Sequence, residues 1–279
     1  MHSTMLSTDS PPVVDNSDWL KTVAIMLVVV GHFGYFFMQD PDWWSAFGRM
    51  AAPVFFFLMG YAHSRTIPLR WIWLGVILTL LDSWNNAWMW MAPNILLSMV
   101  LIRIARPGVK TLILKYEWLA FILLVCTLIA LLPLAANMVD YGAEGWLWAL
   151  FGLCHRLYID DRPATATGGI ARSQPISTGV LIPNLGLMRL LSCLVAAVVY
   201  VWQEQLVFFF SPVQLAVVIL GVSMLSLGLC LFQRGPSRIQ PPEPIARTLH
   251  FIGWHTLEIY VIQLAGSELI NKFLPGLVI

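Results

Sequence analysis

Residues 21–37 read KTVAIMLVVVGHFGYFF, an apolar run whose polar members are Lys21, Thr22, His32 and Tyr35. As a helix at 1.5 Å per residue it spans about 25 Å, close to the thickness of a bilayer's hydrocarbon layer. Runs of this kind recur along the chain. Spans are expected at Trp19–Met38, Arg49–His63, Leu69–Trp84, Trp88–Ala105, Glu117–Leu134, Glu144–Tyr158, Pro183–Trp202, Leu206–Phe232 and Leu249–Ile270. The second, third and sixth are short for a crossing, and the eighth is long enough to tilt or break. The fold class is therefore all-α: a polytopic integral membrane helix bundle with about nine to ten transmembrane helices.

Composition points the same way. Of the 279 residues, 58% are hydrophobic and 11% charged, against about 25% charged in a soluble domain. So few charges cannot cover a globule of this size, which excludes a soluble enzyme. A net charge of +1 without a basic run excludes nucleic acid as a partner. The four cysteines, Cys126, Cys154, Cys193 and Cys230, lie in apolar stretches without metal-ligand spacing and read as small buried hydrophobes. The 13 tryptophans read as interface anchors and cavity lining.

Charge asymmetry orients the chain. With the N-terminus in the cytoplasm, 14 of the 16 Lys and Arg fall at the inner face, leaving Arg49 and Lys272 outside. Basic loops resist translocation, so the N-terminus is expected inside and the C-terminus outside. Residues 1–17 are polar, lack the basic start of a signal peptide and read as a disordered cytoplasmic tail. Residues 18–279 form one membrane domain, with a polar loop at 160–179 that could gate a site. A second polar stretch, RGPSRIQPPEP at 234–244, is held extended by its prolines.

Ionisable groups at mid-span cost at least roughly 2.5–3.5 kcal/mol and are functional candidates by default. Lys21 and His32, eleven residues apart, return to nearly the same helix face, with His32 about 16 Å deeper. A neutral imidazole at that depth can act as general base; it can equally be a hydrogen bond between packed helices. Gly31 and Gly34 leave room beside it for a helix or a narrow ligand. Arg49, opening the second span, is either an anchor at the interface or a fixed cation near His32. In the last span Thr256, Tyr260, Gln263 and Ser267 share one side, and His255 and Glu258 are expected to hydrogen-bond as i, i+3 neighbours. Glu258 reads as the only carboxylate within a span. Asp82 and Asn94 with Ser98 are expected to face the same cavity or to serve as a cap and a helix–helix bond.

Four segments carry a resemblance. LKTVAIMLVVVGHFGYFF (20–37), GRMAAPVFFFLMGYAHSR (48–65) and PNILLS (93–98) resemble the opening of the TraX family and, more distantly, the acyltransferase-3 superfamily. GWHTLEIYVIQLA (253–265) is similar to the last helix of such membrane acyltransferases. Gly31 stands where TraX proteins usually have Asp, and Gln263 where related last helices often have His.

The resemblance implies a multi-pass protein of the bacterial inner membrane that transfers acetyl from acetyl-CoA. TraX-type proteins are associated with acetylating a conjugative pilin N-terminus; relatives modify sugars. Carried over, His32 matches the catalytic histidine and Arg49 the arginine of the second motif; His32 is expected to act as the base, and Arg49 to stabilise an oxyanion or position the acceptor from the outer side. Lys21, Arg103 and Arg106 are expected to hold the CoA phosphates. Asn94, His255, Glu258 and Tyr260 are expected to line the acceptor pocket. The partners are acetyl-CoA, an acceptor protein N-terminus or sugar, the lipid bilayer, and a second copy of the chain if it forms a homo-oligomer. Two other classes stay open: a transporter or flippase of a polar solute or lipid, and a non-enzymatic pilus or secretion assembly factor docking through 160–179.

Overall fold

The computed structural model describes residues 13–39, 42–63, 66–85, 92–135, 138, 140–161 and 183–274. Among them lie ten α-helices: α1 (Asn16–Phe37), α2 (Asp42–Gly48), α3 (Ala52–Tyr61), α4 (Leu69–Asn85), α5 (Ile95–Ala135), α6 (Gly142–Asp160), α7 (Leu185–Phe208), α8 (Pro212–Leu231), α9 (Glu243–Trp254) and α10 (Thr256–Phe273). A 3-10 turn, Arg49–Ala51, joins α2 to α3. Four helices, α1, α5, α7 and α8, are long and apolar enough to cross a membrane. These four, and not the nine or ten expected, meet both requirements among the described residues.

The surface is that of a membrane protein. On α8, Leu220, Met224, Leu227 and Leu231 form a helical stripe, each more than 60% exposed, while Val218, Val222 and Leu229 on the other side are buried. An apolar stripe of this size would drive aggregation in water and is ordinary against lipid tails.

Several boundaries depart from expectation for local reasons. The first helix starts at Asn16 because Asp15 and Asp18 form a capping box. The supposed tail is docked where it is described: Asp15 bridges Pro236, and Ser237 donates its N–H to the Val14 carbonyl at 2.8 Å. Residues 1–12, the start of the fourth expected span at Trp88, and nearly all of the 160–179 loop lie outside the described residues. In α5 the chain leaves helical geometry at Glu117 (φ 46°, ψ −121°), so two helices meet there. The eighth expected span starts later, at Pro212, because Ser211 and Gln214 form a second capping box. Phe209 ends α7 in the left-handed region.

The last expected span is broken into α9 and α10 at His255. Side chains take over the carbonyls at the break: Lys21 Nζ donates to Gly253 O at 3.2 Å, and Thr256 Oγ1 to Ile252 O at 2.8 Å. A cation at the carboxyl end of α9 also suits its dipole.

The densest packing joins α3, α6 and α7. A Cβ added at Gly60 would collide with the Ala149 carbonyl, and one at Gly152 with that of Phe57. Helix backbones therefore touch, as small residues permit in membranes. Trp148, Phe151, Phe57 and Tyr200 fill the surroundings and are almost wholly buried. A second close approach, Gly31 against Gly48, draws α2 onto α1 and sets Arg49 on the same flank of α1 as His32.

Candidate functional site

A cavity of about 570 Å³ opens between α1, α3, α4, α5 and α10, and both Lys21 and His32 line it. It runs from Lys21, Arg70 and Gly253 at one end to Asp82, Asp140 and Glu268 at the other. The volume lies within the range of small-molecule sites, roughly 300–1,000 Å³.

His32 sits midway. Its Nδ1 lies 2.7 Å from Gln263 Oε1. An amide oxygen only accepts, so this contact calls for the hydrogen on Nδ1, and in the neutral imidazole the lone pair is then on Nε2. Gln263 Nε2 in turn donates to Ser267 Oγ at 3.4 Å. The imidazole packs edge-on to Phe36 at 6.3 Å and tilted to Tyr260 at 6.0 Å.

Arg49 lines the cavity from the turn between α2 and α3, and so lies inside a helical run rather than at its start. Its Nη1 donates to Tyr141 Oη at 3.0 Å, its Nε lies 3.7 Å from Glu204 Oε2, and its guanidinium stacks 4.3 Å from the Phe208 ring. The Tyr200 hydroxyl donates to the Arg49 carbonyl at 2.5 Å. Tyr141 reaches Arg49 from a left-handed backbone (φ 57°), a conformation uncommon for a bulky residue. Beside it in the turn before α6, burial raises the Asp140 carboxyl from 3.8 to about 6, against the opposing pull of Arg49.

The other expected residues divide. Asn94 and Tyr260 line the cavity and hold each other, with Asn94 Nδ2 donating to Tyr260 Oη at 3.2 Å. Asn94 also starts α5, its Oδ1 accepting from Leu96 N at 3.1 Å. Lys21 lines the cavity while capping α9. Arg103 and Arg106 are elsewhere: Arg103 donates to Thr66 O at 2.6 Å and stacks on Trp71, and Arg106 donates to Gly60 O at 2.7 Å beside a small apolar groove. The cation at the Lys21 end is Arg70, which holds Glu258 at 2.7 Å.

His255 is exposed, stacks on Phe251 at 4.3 Å and bonds the Phe251 carbonyl through Nδ1. The expected His255–Glu258 bond is replaced by these two pairings, because the helix breaks at His255 itself. Neither residue is among those lining the cavity. Glu258 is also not the only carboxylate in a span: Glu204 lies in α7, 3% exposed.

No curated protein and no solved structure matches the chain at significance. The family model described as TraX protein matches residues 16–223, which take in α1 through most of α8 and hence His32, Arg49, Asn94 and Glu204. The chain belongs to the TraX family.

Proposed function

We propose that this protein is an acyltransferase of the bacterial inner membrane that moves an acetyl group from acetyl-CoA to an acceptor amine or hydroxyl. A pilin N-terminus is the acceptor that fits the family, and a sugar is the other. The observation that carries the reading is an imidazole whose Nδ1 lies 2.7 Å from Gln263 Oε1 and whose ring lines a 570 Å³ cavity running between two oppositely charged ends.

In this reading the donor's phosphates lie at the Lys21 and Arg70 end, with the thioester reaching His32. Nε2 of His32 takes the proton of the acceptor as its nitrogen or oxygen bonds to the acetyl carbonyl carbon. Arg49 faces the oxyanion of the tetrahedral intermediate. As the intermediate collapses, the C–S bond breaks and the leaving thiolate receives the proton from the imidazolium. Asn94 and Tyr260 line the acceptor side. An N-terminus in the cytoplasm suits this arrangement, because the Lys21 end is then met from the side on which CoA resides.

The test is transfer of labelled acetyl from acetyl-CoA in proteoliposomes, with a pilin-like peptide and a sugar panel as acceptors. Label transferred by wild type and lost in His32→Ala supports the reading. Equal transfer by the variant defeats it.

One observation favours a second reading. Glu204 is buried beside Arg49 in α7, and a carboxylate inside a membrane is a common element of ion-coupled transport. Solute movement that depends on a membrane gradient, without acetyl transfer, would establish that alternative.

A further inference from the structure

We propose that Gln263 is the positioning residue for His32: it fixes the proton on Nδ1 and so makes Nε2 the base. This rests on the acyl-transfer reading. An imidazole can serve as base only at the nitrogen that carries no hydrogen, and the partner of the other nitrogen decides which one that is.

Gln263 offers an oxygen or an NH2 group depending on how its amide is turned. With Oε1 at 2.7 Å from Nδ1, the amide demands the tautomer with a free Nε2. Turned over, the NH2 would face Nδ1, place the hydrogen on Nε2 and convert His32 from proton acceptor to donor. Ser267, buried one turn further along α10, takes the NH2 group away from the imidazole. Phe36 and Tyr260 bracket the ring and restrict its rotation. The residue that orients the imidazole thus comes from a helix 231 positions away in sequence, while the neighbouring position 31 is a glycine pressed against Gly48.

Two substitutions separate the acceptor role from mere filling of space. Gln263→Glu keeps an oxygen towards Nδ1, and Gln263→Met keeps the volume but has no strong acceptor. Steady-state acetyl transfer is measured in proteoliposomes for both, for wild type and for His32→Ala, with acetyl-CoA binding measured on each protein. Gln263→Met is expected to lose at least roughly tenfold in kcat with KM for acetyl-CoA unchanged, while Gln263→Glu stays within a few-fold of wild type. If the Met variant does not fold, Gln263→Leu takes its place.

Wild-type kcat in the Met variant beside an inactive His32→Ala overturns the proposal. So does a Glu variant that falls as far as the Met variant while still binding acetyl-CoA. If His32→Ala itself keeps its turnover, the acyl-transfer reading fails, and this inference fails with it.

Discussion

The α3–α6–α7 slab and the α1–α4–α10 cavity wall are built from similarly apolar helices and behave as opposites. In the slab, glycines bring backbones into contact and aromatics fill what is left, so Trp148, Phe151 and Phe57 are 0% exposed. In the wall, side chains stand apart around 570 Å³ and carry paired polar groups: His32 with Gln263, Asn94 with Tyr260, Arg70 with Glu258. Without a hydrophobic effect between helices in lipid, close packing supplies the adhesion, and the slab has it. That rigid side lets the other side stay open.

The contrast breaks most severely at Gly152. A Cβ there meets the Phe57 carbonyl, so Gly152→Leu pushes α3 off α6, an overpacking against backbone that no rotamer relieves. The variant is expected to yield no monodisperse protein in detergent. Recovery of wild-type protein would mean that the slab is not the scaffold.

The border between the two regions is Arg49–Glu204, one partner lining the cavity and the other buried in the bundle. Glu204→Gln removes the carboxylate that lies in ion-pair range of the guanidinium. Removing one member of a buried pair costs about 3–5 kcal/mol. About a third of the Arg49 side chain is open to the cavity, so a loss towards the lower end of that range is expected in thermal unfolding. Adding Arg49→Gln to Glu204→Gln should restore part of it. A loss that the second substitution does not reduce would show that the pair is not coupled.

The smallest effect lies outside both regions. Glu117 holds φ 46° and ψ −121°, which an L side chain tolerates at a cost of about 1 kcal/mol or more. Glu117→Gly is expected to raise stability by about 1 kcal/mol and leave transfer unchanged.

The slab and the wall were not equally legible in the sequence. Apolar run lengths located most of the helices, because burial in lipid writes itself into composition over 20 residues. Breaks were harder. Ser211-Pro212-x-Gln214 is a capping signal inside an otherwise apolar stretch, and hydropathy alone runs through it. The break at His255 is only half local: Thr256 Oγ1 reaches the Gly253 carbonyl from three residues on, while the other side chain on that carbonyl is Lys21, 232 positions away.

At the site, His32, Arg49, Asn94 and Tyr260 were legible because polar residues in apolar runs stand out. Arg103 and Arg106 were misplaced because basic residues near a membrane face look alike until their partners, Thr66 and Gly60, are known. Glu204 was overlooked for a similar reason: near the end of an apolar run it resembles a boundary residue, and α7 continues past it to Phe208. Gln263 was visible as one side of the last helix, but its pairing with His32 depends on how α1 and α10 meet.

The central claim is that the cavity wall performs chemistry that the slab only supports, and His32 tests it most directly. Labelled acetyl transfer in proteoliposomes is compared between wild type and His32→Ala, with both shown to unfold at the same temperature. Transfer reduced to background at unchanged stability is the predicted result, since the loss of a general base alone costs about 10²–10⁴-fold. Transfer at the wild-type rate by the folded variant would contradict the account.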